Sequence, residues 1–341
     1  MSARSRHKVA GAVSALAVAT GSLTMLAAGT AGAQAPTTST GAQVTHVSGA
    51  DRIATSIAAS QAAYPKAGSA KAVVVANDSS FSDALAGGPL ASAVGGPLLL
   101  SSSGQIPQAV LDEIIRVLPP GSPVYVLGGT SALSSAVSDA ITHAGFTVQH
   151  LAGSNRFATA VDIAKVINPS MILEATGMNF PDALSAGPAA ALHHAAILLT
   201  DGATQAPETA AYLAAHPTDV LYAIGGPAAT ADPSAIPVVG TDRFGTATMV
   251  ASTFFNAVKS IGLASGADFP DALSAVPLLA QQGAPMLLTN PTGSLPTALA
   301  SWLSVNKSVL SGLTAFGGTS ALSSGVLSEV TGILSSLTSS I

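Results

Sequence analysis

The chain has 341 residues, a formal net charge of −5 and no cysteine; 48% of its residues are hydrophobic and only 9% are charged. This composition excludes a disordered chain, which would be poor in hydrophobic residues, and it excludes stabilisation by disulfides. It also argues against a nucleic-acid binder, which needs a basic face to offset phosphate charge. We therefore expect a globular protein with a large core.

The N-terminus has the pattern of a secretory signal peptide. A basic start (Arg4, Arg6 and Lys8) precedes a charge-free apolar stretch over 9–28, and small residues of the Ala-x-Ala type follow at 31–35. This order predicts export with cleavage after the small residues. A retained membrane anchor is the alternative, but Gly, Ser and Thr dilute the stretch, and no other segment approaches the roughly 20 apolar residues of a spanning helix. We therefore predict a secreted protein with no membrane span after cleavage.

After this segment, short apolar runs alternate with segments of helical character. The alternation predicts an α/β protein whose parallel sheets have helices on both faces, in flavodoxin-like layered units. The predicted strands are 44–47, 72–76, 97–100, 124–127, 148–151, 171–173, 196–199, 220–224 and 236–239. Helices are predicted at 106–117, 132–144, 158–167 and 321–337.

Three sequence motifs recur in the same order, which predicts three tandem units with a period of about 90–100 residues, long enough for each to hold its own core. The first motif is GADRIAT (49–55), GSNRFAT (153–159) and GTDRFGT (240–246). The second is SFSDALAGGP (80–89), NFPDALSAGP (179–188) and DFPDALSAVP (268–277), and the third ends a strand with Gly-Gly at 128–129, 225–226 and 317–318. The predicted organisation is a signal peptide at 1–35, a leader at 36–42, and repeats 1, 2 and 3 at 43–145, 146–235 and 236–341.

Each first motif places an arginine directly after a residue that favours a helix N-cap. A cation in the first helical turn is disfavoured by a few tenths to ~1 kcal/mol, so its use three times suggests a compensating anion. That anion is either an aspartate of the second motif, in the same or a neighbouring repeat, or an anionic ligand held bidentately. The arginines are Arg52, Arg156 and Arg243, and the caps are Asp51, Asn155 and Asp242.

Each second motif places an aspartate just past a strand, where it could cap the next helix or meet a ligand at the carboxyl end of the sheet. The proline six residues later predicts that the main helix begins near that proline, because proline disrupts a helix interior. The Gly-Gly pairs allow a tight turn or a close approach of another group. The aspartates are Asp83, Asp182 and Asp271, and the prolines are Pro89, Pro188 and Pro277.

No candidate for catalysis, a metal or a cofactor recurs in all three repeats. The adjacent pair His193 and His194 has no acidic residue at ligand spacing, and neighbouring side chains point apart on a helix. There is no G-x-S-x-G and no H-E-x-x-H. One carboxylate repeated three times favours repeated binding over catalysis, because a surface that binds a repeating polymer gains avidity. We therefore expect no enzyme, no cofactor and no metal.

Together, the R-[IF]-x-T opening, the N-F-P-D-A-L-S block and the G-G-T-S-A-L-S ending are similar to those of the cell wall-binding repeat 2 family of Gram-positive bacteria, over about residues 43–335. The resemblance implies three α/β repeats about a pseudo-threefold axis, with ligand in grooves between them. It also implies non-covalent attachment to the cell wall through an anionic secondary polymer. The matching ligand-binding or groove-framing positions are Arg52, Arg156, Arg243, Asp83, Asp182 and Asp271.

Two departures from the repeated pattern lie in repeat 1. Ser82 stands where the other repeats have proline, and Asp78 stands where they have Gly177 and Gly266. We therefore expect the first groove to be altered or unoccupied. The negative net charge would require local arginines or bridging divalent cations for an anionic polymer. An exported soluble-ligand carrier or scaffold is the alternative function, and a cell wall hydrolase, which would need a non-repeated acid/base set, is a further one.

Overall fold

The computed structural model describes residues 42–81 and 83–336, so the predicted signal peptide and almost all of the predicted leader lie outside the described residues. The described residues belong to one compact unit and form three four-stranded, all-parallel sheets. No helix among them is long and apolar enough to cross a membrane. The prediction of three parallel α/β units is confirmed.

The described strands follow the predicted order closely. Most predicted strands are found within one or two residues of their expected ends, because continuous apolar runs of four to six residues are typical of strands buried on both faces. They are β1 (Gln43–Val47), β2 (Val73–Asn77), β3 (Leu98–Ser101), β4 (Pro123–Leu127), β5 (Thr147–Leu151), β6 (Met171–Thr176), β7 (Ala196–Thr200), β8 (Val220–Ile224), β9 (Ile236–Val238), β10 (Ser260–Ser265), β11 (Met286–Thr289) and β12 (Gly312–Phe316).

The three sheets share one topology. Their orders are β3-β2-β4-β5, β7-β6-β8-β9 and β11-β10-β12-β1. Numbered along the chain in the first two units, and with β1 counted as the fourth strand of the third, every sheet runs 2-1-3-4, which is the order of the flavodoxin-like fold without its fifth strand. The order reverses between the first and third strands, so the loops at their carboxyl ends enclose a crevice where such sheets bind ligands.

The strand that opens each predicted repeat completes the sheet of another repeat. β5 pairs with β4 of repeat 1, and β9 pairs with β8 of repeat 2. β1 pairs in parallel with β12 of repeat 3, with Gln43 opposite Gly312 and Val47 opposite Phe316. The first strand of the described chain therefore joins its last sheet, and the three units close into a ring.

The helices connect these strands. They are α1 (Arg52–Ala63), α2 (Gly87–Ala93), α3 (Gln108–Val117), α4 (Ser135–His143), α5 (Arg156–Ile167), α6 (Pro181–Leu192), α7 (Pro207–Ala215), α8 (Gly226–Ala231), α9 (Arg243–Phe254), α10 (Pro270–Leu273), α11 (Val276–Gln282), α12 (Thr297–Asn306) and α13 (Ser324–Ser335).

The expected helix start near the motif proline holds in two repeats only. In repeats 1 and 3 the main helices, α2 and α11, begin two residues or one residue before the proline. In repeat 2 the prediction is wrong, because α6 begins at Pro181 and continues through Pro188. Proline is well tolerated at the first helical position, and the alanine-rich, buried sequence of α6 favours an unbroken helix.

Three equivalent helices, α2, α6 and α11, pack against one another at the centre of the ring. Gly88, Gly187 and Val276 occupy the same place in the three second motifs. A Cβ atom added to Gly88 or to Gly187 would lie 2.7 Å from the side chain of Val276. The centre therefore has room for one side chain from the three equivalent positions, and repeat 3 supplies it.

The phenylalanines of the three second motifs form a triangle beside this centre. The ring centroids of Phe81, Phe180 and Phe269 lie 5.8, 5.6 and 5.8 Å apart, in edge-to-face or tilted arrangements. Such contacts add roughly 0.5–1.5 kcal/mol each to the area that they bury. The triangle confirms the pseudo-threefold arrangement of the repeats.

Candidate functional site

The candidate site begins at three helix N-termini that the sequence places correctly. The helices α1, α5 and α9 begin at the three motif arginines, and the preceding residue caps each of them as predicted. Each cap side chain accepts a hydrogen bond from the backbone N–H three residues later, which satisfies a group that the helix leaves unpaired. These bonds are Ala54 to Asp51 (2.8 Å), Ala158 to Asn155 (2.9 Å) and Gly245 to Asp242 (2.7 Å).

The loop before each cap folds back over the first helical turn. The motif glycine donates its N–H to the hydroxyl of the motif threonine, six residues later; this bond is 3.1 Å from Gly49 to Thr55 and 3.2 Å in repeats 2 and 3. A Cβ atom on Gly49 would overlap the backbone of Ala54. Glycine is therefore required there for the close approach, which fixes the arginine and the threonine relative to each other.

Each motif arginine is anchored within its own repeat. Its Nη1 donates a hydrogen bond to a backbone carbonyl just past the first strand of the sheet, which offsets the unfavourable position of the cation in a first helical turn. These bonds are Arg52 to Asp78 (2.9 Å), Arg156 to Gly177 (2.5 Å) and Arg243 to Gly266 (2.6 Å). Part of each guanidinium therefore has a structural role.

The arginines also reach the preceding repeat of the ring. The guanidinium carbon of Arg156 lies 5.8 Å from the ring centroid of Phe81 in repeat 1, and that of Arg52 lies 5.9 Å from the ring centroid of Phe269 in repeat 3. Contacts of a cation with an aromatic face contribute about 0.5–1 kcal/mol at exposed sites. Arg52 and Arg156 therefore each bridge two neighbouring repeats.

Each motif aspartate lies against the first glycine of the Gly-Gly pair in its own repeat. A Cβ atom on Gly128 would lie 2.5 Å from the carboxylate of Asp83. A Cβ atom on Gly225 or Gly317 would come at least as close to the carboxylate of Asp182 or Asp271. The three glycines also have φ of +85°, +84° and +101°, a region that favours glycine. The predicted close approach at the Gly-Gly turn is therefore an approach to the aspartate.

Helix N-capping, one of the two roles left open for the aspartates, is not found in repeats 2 and 3. The N-cap positions belong to Phe180 and Phe269, without a side-chain cap hydrogen bond, and Asp182 and Asp271 lie in the first turn. Because Pro181 or Pro270 occupies the first helical position, the helix begins one residue before the aspartate. The two carboxylates meet side chains of the neighbouring repeat.

Across the repeat boundary, Asp182 meets the threonine and the arginine of repeat 3. Burial raises the pKa of Asp182 to about 6, while the positive charge of Arg243 and a hydrogen bond from Thr246 oppose the rise. Burial also raises the pKa of Asp271 in repeat 3; a hydrogen bond from Thr55 opposes the rise, repulsion by Asp268 adds to it, and the charge of Arg52 opposes it. We call this arrangement the Asp–Thr–Arg contact.

Two grooves open at these contacts. The groove between repeats 2 and 3, called the 2–3 groove, has a volume of about 330 Å³, and the groove between repeats 3 and 1, called the 3–1 groove, has one of about 360 Å³. Charged and amide side chains in the 2–3 groove are Asn179, Asp182, Asp242 and Arg243; in the 3–1 groove they are Asp51, Arg52, Asp268 and Asp271.

The 3–1 groove contains an ion pair that joins two repeats. Arg52 Nη2 lies 3.8 Å from Asp268 Oδ2, and the two side chains are 39% and 61% exposed. The partner of Arg52 is thus Asp268, the residue before the motif phenylalanine. The sequence had suggested the motif aspartate as a partner. Exposed pairs of this kind contribute about 0–1 kcal/mol, so this one leaves Arg52 available to a competing anion.

The two departures of repeat 1 fall at different places. Asp78 adjoins Arg52, through its carbonyl, at the 3–1 groove, while Ser82 lies outside the described residues. A Cβ atom on Gly177 would lie 3.1 Å from the ring of Phe157. Repeat 1 has Ile53 in place of that phenylalanine, so the side chain of Asp78 does not meet an aromatic ring at this position.

Thr55 and Thr246 are site residues that the sequence analysis missed. Both lie in the grooves, and their hydroxyls reach the aspartate of the preceding repeat. Their repetition at a fixed place in the first motif was the available signal. A threonine at a helix start is usually explained by local hydrogen bonding, so the contact across repeats was not evident.

His193 of the histidine pair has an ordinary structural environment. His193 Nε2 lies 2.8 Å from the carbonyl oxygen of Phe254, and its ring packs near that phenylalanine. Among the residues that the structure describes, no group of three or more His, Cys, Asp or Glu side chains is placed to hold a metal ion.

The three repeats of this chain match one known family. A model of the family described as cell wall binding domain 2 matches residues 46–138, 150–234 and 238–327. The chain belongs to the cell wall binding domain 2 family. Its resemblance to wall-binding repeats, inferred from short motifs, is therefore confirmed over most of the chain.

Two curated relatives from Bacillus subtilis (strain 168) share sequence with this family member. The N-acetylmuramoyl-L-alanine amidase LytC is 26% identical over 262 residues, which are 75% of this chain and 52% of that protein. An amidase enhancer is 30% identical over 130 residues, which are 38% of this chain and 18% of that protein. The chain thus spans about half the length of LytC, and much less of the enhancer.

Two solved structures from Clostridium difficile have the same fold. Cwp6 superimposes with a TM-score of 0.75 at 24% identity, covering 86% of this chain and 48% of that chain. Cwp8 superimposes with a TM-score of 0.76 at 24% identity, covering 85% and 51%. The fold of three parallel-sheet units is therefore shared with these two proteins.

Proposed function

We propose that this member of the cell wall binding domain 2 family is an exported cell wall binding module that attaches non-covalently to an anionic secondary wall polymer. The grooves between its repeats are the proposed attachment sites. The observation that carries the proposal is the Asp–Thr–Arg contact, which occurs at two repeat boundaries with an arginine facing an open groove. The family to which the chain belongs supports the wall as the target.

The arginines supply the local positive charge that an anionic polymer needs. One Nη1 group of each is bound to a backbone carbonyl, but Arg52 remains 39% exposed and both Arg52 and Arg243 line a groove. Serine, threonine and main-chain groups in the same grooves can bind the hydroxyls of a sugar phosphate or uronate chain. Because the polymer repeats, occupying more than one groove would raise the overall avidity.

We propose binding without catalysis as the activity of this chain. A wall hydrolase is the alternative that the similarity to LytC suggests, but the aligned segment covers 52% of that protein, and the Asp–Thr–Arg contact is the same in both grooves. Zymography on wall substrate would reveal a hydrolase. Recovery of the protein from the medium, with none in the wall fraction, would favour a soluble-ligand carrier or scaffold.

The test of this proposal is sedimentation with purified wall sacculi before and after removal of their anionic polymer. We expect the protein to sediment with intact sacculi and to remain soluble with stripped ones. A triple variant with Arg52, Arg156 and Arg243 changed to alanine should lose retention. Its matched control is Lys165→Ala, which removes a charge paired with Asp162 on α5 outside the grooves. Equal retention on stripped sacculi would contradict the proposal.

A further inference from the structure

Repeat 2 differs from repeat 1 on the outer face of its sheet. In repeat 1 the nine-residue helix α4 helps to cover a large apolar cluster that includes Val75 and Leu133. In repeat 2 the corresponding helix is α8, with six residues, and the cluster beneath it consists of the small residues Ala223, Ala228 and Ala235. Less apolar volume therefore covers this part of sheet β7-β6-β8-β9.

Glu174 lies in that region, on the central strand β6, and its side chain is fully buried. The strands β7 and β8 place Leu198 and Ala223 on either side of it. The corresponding residues of the other repeats are Val75 and Leu263. Burying a carboxylate among apolar residues is costly unless a partner compensates its charge, so this substitution in one repeat needs a specific partner.

The polar neighbours of Glu174 are one amide and a second carboxyl. Gln205 Nε2 donates to Glu174 Oε1 at 2.6 Å, and the carboxyl of Asp232 lies within hydrogen-bond reach of Glu174. Asp232 Oδ1 accepts from the N–H (2.9 Å) and the hydroxyl (2.6 Å) of Ser234. Glu174 Oε2 and Gln205 Oε1 are both buried without a hydrogen-bond partner. In the described part of the chain, no Lys, Arg or His forms an ion pair with either carboxyl.

We propose that Glu174, Asp232 and Gln205 form a binding site for one hard divalent cation, of the calcium class. Two carboxyls and an amide carbonyl are oxygen ligands, which such ions prefer. The cation would supply the positive charge that no side chain provides, and a half turn of the Gln205 amide would direct its carbonyl oxygen at the ion. Calcium suits this set better than magnesium, because it tolerates irregular geometry and mixed ligands.

The position of this site in the fold gives it access and a structural consequence. Gln205 and Asp232 lie in partly exposed loops, so an ion and its remaining water ligands can enter from solvent. Asp232 ends α8, whose first residues Gly226 and Pro227 line the 2–3 groove. β6 ends at Thr176, which lines the same groove. A bound ion would therefore hold two walls of this groove together.

The test is calcium binding to the chain that follows the predicted signal peptide, residues 36–341, measured by isothermal titration and by thermal unfolding. The buffer should be at pH 8, above the pKa of about 7 to which burial raises Glu174, after treatment with EDTA. We expect one bound ion per chain and a Tm that rises by several degrees with calcium, by a mass-action effect on the folded state. Magnesium should raise the Tm less.

Three variants locate the site. Glu174→Val introduces the residue of repeat 1. Gln205→Ala removes a partly exposed ligand, so we expect it to fold even if Glu174→Val does not. Both should lose the Tm rise with calcium. Asp112→Asn is the matched control: it removes an exposed carboxylate of α3 outside the site and should keep the full rise.

Two outcomes would overturn the cation site. The first is an unchanged Tm and no binding heat for the wild-type protein. In that case a proton shared by the two carboxyls would compensate the buried charge of Glu174. The second is an equal calcium response in Gln205→Ala and the wild type. Neither outcome bears on wall retention, which is measured separately.

Discussion

The 2–3 groove and the 3–1 groove share the Asp–Thr–Arg contact but differ in charge. Asp182, Thr246 and Arg243 form it in one, and Asp271, Thr55 and Arg52 form it in the other. The residue before the motif phenylalanine is Asn179 in the 2–3 groove and Asp268 in the 3–1 groove. The 3–1 groove therefore has one more carboxylate in an otherwise similar frame.

This one carboxylate changes the state of its neighbours. Asp268 forms an ion pair with Arg52 at 3.8 Å and repels Asp271, which adds to the rise that burial causes in the pKa of Asp271. Arg243 has no ion pair within 4.0 Å among the described residues. The two grooves therefore share a geometry but differ in charge, and we expect the 2–3 groove to be the stronger anion site.

The largest effect on stability should come from disrupting the helix packing at the centre of the ring, which supports both grooves. Gly187→Val would place a second side chain against Val276, where a Cβ atom alone comes within 2.7 Å. Overpacking of this kind costs about 3 kcal/mol of unfolding free energy, or prevents folding. Chemical denaturation would measure the loss. The double variant Gly187→Val/Val276→Gly should restore most of it, since the centre again holds one side chain; no rescue would contradict this packing.

The second effect concerns the 2–3 groove alone and depends on pH. Because the pKa of Asp182 rises from 3.8 to about 6 on folding, the folded protein keeps a proton that the unfolded chain has lost between these values. Its contribution to stability therefore falls as pH rises through this window, by about 1–2 kcal/mol after allowance for solvent screening. Unfolding free energies at pH 4 and pH 7 should show a smaller fall in Asp182→Asn than in the wild type. Parallel pH profiles would refute the assignment.

The third effect distinguishes the arginines of the two grooves. Arg243→Ala should weaken retention on wall sacculi by about fivefold, which is ~1 kcal/mol. Arg52→Ala should weaken it less, because Arg52 already has Asp268 as a partner. Co-sedimentation at several salt concentrations would measure both, with Lys165→Ala as the control for lost charge. A larger loss for Arg52→Ala would reverse the proposed order of the grooves.

The smallest effect should come from exchanging the residues that distinguish the grooves. Asp268→Asn should free Arg52 and increase retention by about twofold, and Asn179→Asp should reduce it by a similar factor, since exposed pairs contribute about 0–1 kcal/mol. Both side chains lie at the groove surface, so circular dichroism should show an unchanged fold. Retention that responds to neither change would show that this position does not distinguish the two grooves.

Local features of the fold were predictable because they depend on short-range rules. Strand runs such as that at 171–173, the three helix caps and the Gly-Gly turns follow from apolar runs, capping side chains and positive φ. The grouping of strands was less accessible. β1 reads as the first strand of repeat 1, yet it completes the sheet of repeat 3, because hydrogen-bonded pairing is settled by which sheet edge is open nearby.

The candidate site was predictable in its residue types but not in its contacts. The repeated arginines and aspartates were found from their fixed spacing, whereas their partners lie in different repeats, as Asp182 and Arg243 show. The sequence also did not indicate that Asp232 and Gln205 would lie beside Glu174. Its isolation in an apolar strand was visible, but its neighbours are 31 and 58 positions away in the sequence and meet it only in the folded protein.

The sequence by itself determined that this protein has three α/β repeats, each with a capped arginine helix, an aspartate turn and a glycine pair. It did so because motifs, caps and turns depend on neighbouring residues. The tertiary structure decided that the repeats close into a ring, that Asp182 and Asp271 meet the next repeat, and that one valine fills the centre. The ring closure and the contacts between repeats depend on how segments far apart in the sequence pack together. Similar local sequences are compatible with more than one such packing.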